Sequence, residues 1–162
     1  MSFQKILGLI ALVVIGSIAC KKEEVGKTGD SIPSNAVTVT NAIAFRPDPT
    51  VSTSKSGGGA IQMVLTLSSE SGRTIKEITK VAANTSYTQI QSGGSSGFYN
   101  AAPIPVNGTT ATFTTTLAEY VTKAAGVIPA SNFELAKRFY FLLTLDDNST
   151  IVTTPVRVLV LD

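Results

Sequence analysis

Phe139-Tyr140-Phe141-Leu142-Leu143-Thr144-Leu145, followed by Asp146-Asp147-Asn148-Ser149 and then Thr150 to Leu161, is the stretch that decides the fold. The first run has the length of a strand, and its apolar residues do not alternate with polar ones. Both faces are therefore apolar, which predicts a central strand covered on each side. Asp and Asn favour tight turns because their side chains bond nearby backbone. The pattern predicts a β-hairpin in which Thr150 to Leu161 is the long return strand. Pro155 marks an edge position or a break in it, since proline cannot donate to a ladder.

Upstream, Ile61, Met63, Leu65 and Leu67 alternate with Gln62, Val64, Thr66 and Ser68, which predicts a strand with one strongly apolar face. Ser71-Gly72 makes a turn. Ile75, Ile78 and Val81 then recur every three residues, which fits neither strict alternation nor a long helix and reads as a strand from Thr74 to Val81 with a bulge or a twist. Ala36 to Thr40 opens the domain, Ile43 to Phe45 continues that strand, and Pro47 and Pro49 end it. Ser54 to Gly59 reads as a flexible loop, and Thr109 to Thr115 as another strand. Thr116-Leu117-Ala118-Glu119 matches a capping box. Leu117, Tyr120, Val121 and Ala124 then share one helical face, with Gly126 placed to end the helix in a left-handed conformation. The expectation is an all-β, antiparallel sandwich with one short crossover helix. Leu117, Tyr120 and their neighbours are expected in its core.

Strands before and after a short crossover helix, closed by a terminal hairpin, resemble the final strands of the immunoglobulin-like sandwiches of exported Bacteroidota proteins. Phe139 to Leu161 carries most of that resemblance, and Ile61 to Val81 adds to it. The disulfide and tryptophan of antibody domains are absent, so the kinship implied is architectural and speaks to fold rather than activity.

The N-terminal residues read differently. Met1 to Lys5 supply a short positive region, and Ile6 to Ile15 is an apolar run broken only by Gly8. That is the layout of an export signal. The apolar stretch to Ala19 falls short of the roughly 20 residues that cross a bilayer as a helix, which disfavours an uncleaved anchor. It ends in Gly16-Ser17-Ile18-Ala19-Cys20, which resembles the bacterial lipobox, with Ser17 where leucine is usual. The resemblance implies cleavage between Ala19 and Cys20 and acylation of Cys20. Lys21-Lys22-Glu23-Glu24 resembles the signal that sends Bacteroidota lipoproteins to the outer leaflet of the outer membrane; its plain alternative is a solvated tether. Residues 1–19 are thus expected to be a signal peptide, 20–35 a lipidated cysteine with a polar tether, and 36–162 the β domain. In the tether, Asp30-Ser31-Ile32 resembles the short motif for O-glycans in the same bacteria, with Ser31 as the acceptor.

Composition limits the chemistry. At 162 residues the chain has room for one ordinary domain. It contains no His, no Trp and a single Cys, so Ser/His/Asp and Cys/His catalysis and an internal disulfide are all excluded. A formal net charge of +2, which includes Lys5 of the leader, leaves no basic face for a nucleic-acid backbone. Gly57-Gly58-Gly59 lacks the lysine and helix of a phosphate loop. The expectation is a non-catalytic lipoprotein with no cofactor or metal, acting as a structural or accessory module beside a surface complex. The alternative is a lipoprotein that captures a glycan or other ligand for an outer-membrane uptake system.

For that alternative the candidate ligand-binding residues are Phe98 and Tyr99, which end the glycine-rich loop Ser92 to Gly97, together with nearby Tyr87. Aromatic rings give contact area at small entropic cost. They could equally plug the edge of the sandwich. Asp146-Asp147-Asn148 offers oxygens to calcium but lacks a full calcium loop, and turn-making explains it better. Asn84, Asn107 and Asn148 stand in N-glycosylation sequons that read more simply as turn residues.

Overall fold

The computed structural model describes residues 37–94 and 97–162. Cys20, Ala19 and Ser31, and with them the expected leader and tether, lie outside the described residues. The described chain is all-β with two short helices. One sheet has the order β1-β3-β6, formed by Val37–Val39, Ala60–Leu67 and Thr110–Thr116. A second has the order β5-β4-β8-β9, formed by Ile104–Gly108, Ile75–Asn84, Arg138–Leu145 and Thr150–Val152. The third is β2-β10-β7, formed by Thr50–Ser54, Arg157–Leu161 and Phe133–Glu134.

The alternation of Ile61, Met63, Leu65 and Leu67 aims all four inward, and each is at most 2% exposed. They face Ile78, Val81, Phe139, Phe141 and Leu143 of the second sheet in one continuous core. Phe113 of β6 packs edge-on to Phe141 at 5.4 Å, a favoured aromatic geometry. Val51, Val158 and Val160 close the same core from the third sheet. On β8 the intervening residues are covered too: Tyr140 is 1% exposed and joins Ala82 and Ile90 in a small cluster on the outer face. The apolar-on-both-faces reading of Phe139 to Leu145 is met in this way. Of the bulge or twist expected in β4, the bulge is what the strand has, as register shifts at Ile75/Glu77 and Ile78/Lys80. They account for the three-residue spacing of its inward residues.

Several expectations are corrected. Thr150 to Leu161 is not one return strand. β9 pairs with β8 for three residues, Val156 exchanges two backbone bonds with Phe139 across Pro155, and β10 then leaves for another sheet. There β10 runs parallel to β2 with Arg157 beside Thr50 and Leu161 beside Ser54, so the sandwich is not wholly antiparallel. β2 itself occupies a stretch with no clear strand pattern. Its buried Thr53 is satisfied by donating to the Ala60 carbonyl at 2.6 Å. Ile43 to Phe45 does not extend β1, because the chain turns at Thr40 to Ala42 and Ile43 N–H donates back to the Thr50 carbonyl at 2.7 Å.

Helix α1 spans Thr88–Gln91 and helix α2 Leu117–Ala124. Thr116 caps α2, its hydroxyl accepting the Glu119 N–H at 3.1 Å. The left-handed residue that ends α2 is Ala125, with φ 47°, not Gly126. Gly126 is needed for another reason: the Tyr120 ring lies where its Cβ would stand.

Candidate functional site

The geometry of Phe98 and Tyr99 follows from an unfinished sheet edge. β5 pairs with β4 only as far as Ile78. Beyond that point the loop takes over: Tyr99 N–H donates to the Val81 carbonyl at 2.6 Å, and Asn100 Oδ1 accepts the Val81 N–H at 2.6 Å. Asn100 Nδ2 donates in turn to the carbonyls of Thr79 and Ala102. Neighbouring side chains on an extended segment point to opposite faces, so this pair straddles the sheet.

Tyr99 goes inward. It is 5% exposed, edge-on to Phe139 at 5.3 Å and to Phe113 at 5.9 Å. Thr115 Oγ1 donates to Glu119 Oε2 at 2.7 Å, so the Tyr99 hydroxyl 2.6 Å away donates to Thr115. Lys123 pairs with the other Glu119 oxygen at 3.0 Å and stands over the Tyr99 ring. Burial pushes the Tyr99 phenol above its ordinary value. The hydrogen bond from Thr115, and then Lys123, holds the Glu119 carboxyl below its own. Tyr99, Thr115, Glu119 and Lys123 are thus each matched to a neighbour, and the Tyr99 ring is core. Tyr99 therefore lies buried at the sheet edge and not on the surface of the loop.

Phe98 goes outward and is half-buried against the cluster of Ala82, Ile90 and Tyr140. Tyr87, 40% exposed, packs on the same Tyr140 ring at 4.7 Å. Two of the three aromatic candidates are therefore gathered on one outer face, and the third lies on the opposite side of the sheet. Beside Phe98 is a groove of about 200 Å³ walled by Thr79, Lys80, Gly93, Asn100 and Pro103. Lys80 Nζ donates to the Ser92 carbonyl at 2.9 Å and lies 4.6 Å from the Phe98 ring centre, a cation–π distance. Gln89 Oε1 is buried without a partner among the described residues. Sequence reasoning missed Lys80, Gln89 and Asn100. A four-residue helix with no side-chain cap leaves no periodicity to read, and Asn100 acts through a loop whose path only the fold sets.

The acidic turn behaves as a turn. Asp147 Oδ1 accepts the N–H and hydroxyl of Ser149, Arg73 pairs with Asp147 at 3.0 Å, and Asn148 takes a left-handed φ of 63°. Asn84 accepts the Thr85 N–H where β4 ends; Asn107 lies within β5, not in a turn. In comparisons with known proteins the chain matches no family model, no curated protein and no solved structure.

Proposed function

We propose that the chain is an exported, Bacteroidota-type lipoprotein, anchored in the outer membrane through acylated Cys20 and displayed at the cell surface. Its immunoglobulin-like domain serves as a non-catalytic structural or accessory interaction module. The observation that carries the reading is the apolar run ending in Gly16-Ser17-Ile18-Ala19-Cys20 and followed at once by a charged, polar tether. Two or more acyl chains on one residue bury enough methylenes for lasting anchorage, at about 0.8 kcal/mol each. The sheet orders support the finer fold assignment. β1-β3-β6 facing β4-β8-β9 corresponds to strands A-B-E and C-F-G of immunoglobulin-like sandwiches, with α2 in the crossover between the E- and F-like strands. The polar side chains of Tyr99, Asn100, Thr115 and Glu119 are bonded to one another or to backbone, which supports a scaffolding role for this end of the domain. Metabolic labelling with a fatty-acid analogue tests the anchor. The wild-type chain is expected to carry label in the membrane fraction, and Cys20→Ser to lose both label and membrane retention. Label that survives in Cys20→Ser overturns the reading.

A second reading, capture of a glycan, is favoured by the exposed aromatic surface of Tyr87 and the groove beside Phe98, with the Gln89 oxygen, unpartnered among the described residues, close to the same loop. A sugar ring could stack on such a wall. A glycan array probed with the full chain and with Phe98→Ala and Tyr87→Ala tests it. Binding that both substitutions leave unchanged removes this site.

A further inference from the structure

Native sheets protect their edges with short strands, proline, charge or bulges, because an unpaired strand invites another. Most edges of this domain comply. β1 and β9 are three residues long and β7 two. β5 carries Pro105 and sits against a register shift. The outer side of β2 is covered by its own flanking turns, which bond to the carbonyls of Thr50 and Ser54.

β6 does not comply. It is seven residues long, Thr110-Ala111-Thr112-Phe113-Thr114-Thr115-Thr116, with neither charge nor proline, and its pairing with β3 shows no bulge. Leu67 N–H donates to the Thr109 carbonyl and Leu117 N–H to the Gly59 carbonyl, each at 2.8 Å. In this register Ala111, Phe113 and Thr115 turn their backbone groups toward β3, because bonding directions alternate along an antiparallel strand. Thr110, Thr112 and Thr114 turn theirs to the open edge. All three are exposed, and no strand among the described residues pairs with them there.

We propose that the β6 edge is a self-association site, and that its occupant is the β6 strand of a second copy of this chain. Antiparallel pairing about a two-fold axis at Thr112 sets Thr112 against Thr112 of the second copy and Thr110 against its Thr114. Every one of these positions is in the outward-bonding phase, so each pair exchanges two N–H···O bonds. The facing side chains are all threonine, a favourable cross-strand pairing with no like charges opposed. The strand is thus complementary to itself, and the two-fold closes the assembly as a dimer. The two β1-β3-β6 sheets become one continuous sheet. The inference does not depend on the anchor or on glycan binding.

The test is the mass of the full chain in non-ionic detergent with reductant, by light scattering over about 1 to 100 µM, alongside Thr112→Pro, Thr112→Lys and Thr38→Lys. Proline at an outward-facing edge N–H keeps the fold and blocks pairing, and lysine sets two like charges opposite each other. The wild type and Thr38→Lys, on the far edge of the sheet, are expected to double in mass, and both Thr112 variants to remain single chains with an unchanged circular dichroism spectrum. Should Thr112→Pro lose that spectrum, Thr112→Lys decides. A wild type that stays a single chain overturns the proposal. So does a doubled mass that survives Thr112→Lys, as association through the anchor in the micelle would, or one abolished by Thr38→Lys.

Discussion

The Tyr99 hydroxyl lies 2.6 Å from the Thr115 hydroxyl, joining the loop that finishes the β4 edge to the inner face of β6. This contact spans the two facing sheets at the point where β5 has stopped pairing. Tyr99→Phe removes one buried hydrogen bond while Thr115 keeps Glu119, so the expected loss is about 1 kcal/mol. Tyr99→Ala removes the plug and is expected to cost about 3–5 kcal/mol. Phe98→Ala, from a half-buried outer position, is expected to cost about 1 kcal/mol. Urea unfolding of the three variants checks the order; equal losses for Phe98→Ala and Tyr99→Ala would contradict the straddled geometry.

The end of helix α2 offers a pair of opposite effects at adjacent positions. Ala125 holds a left-handed φ of 47° that glycine adopts freely, so Ala125→Gly is expected to stabilise by about 1 kcal/mol. Gly126→Ala drives a methyl into the Tyr120 ring, which is itself fully buried, and is expected to destabilise by about 1–3 kcal/mol. Thermal unfolding midpoints moving in opposite directions would bear this out. A loss at Ala125→Gly would not.

Stability is expected to fall on acidification because the Glu119 carboxyl is held below its ordinary value by Thr115 and Lys123. A carboxyl with a depressed folded pKa stabilises the fold above its unfolded pKa. That contribution declines as pH drops below about 4.5 and is gone once the folded pKa is passed. Asp147, lowered by its hydrogen bonds from Ser149, acts in the same direction. The urea midpoint of Glu119→Gln is therefore expected to change less between pH 6 and pH 3 than that of the wild type. An identical pH dependence in the two proteins would exclude Glu119 as a contributor.

Arg157 bridges three segments distant in sequence. Its guanidinium meets Asp48 at 2.7 Å and Glu134 at 2.8 Å, while Arg46 also pairs with Glu134 at 3.2 Å. Partly exposed pairs are individually weak, and a network of this kind is worth about 1 kcal/mol. Arg157→Gln is expected to lose about that much, with the loss shrinking in 1 M salt as screening shortens to about 3 Å. Val158→Ala, from the fully buried side of the same strand, is expected to cost more and to be insensitive to salt. Chemical denaturation at two ionic strengths separates the cases.

Local patterns were legible in the residues, and long-range ones were not. Ile61 to Leu67 announces its inward face because a strand alternates with period two. The threes in Ile75, Ile78 and Val81 likewise announce the bulges. β2 is silent because its stability comes from β10 at the far end of the chain, and a parallel pairing leaves no signature in either strand alone. Pro155 flagged a break but not where the chain goes after it. The capping box was legible: Thr116 caps, and the Glu119 carboxyl reaches back to the Thr116 backbone N–H; what the box did not reveal is the stronger bond to that carboxyl from Thr115, an inward residue whose hydroxyl needs a partner. At the candidate site the aromatic pair stood out in sequence. Which ring faces the core is decided by the edge bonds to Val81, which no local pattern encodes.

The proposed anchor is acylated Cys20, and its sharpest test is the mass of the N-terminal peptide from the membrane-extracted protein. A peptide that begins at Cys20 and carries the added mass of acyl chains is expected. A peptide that retains residues 1–19, or one that contains Cys20 unmodified, would contradict it.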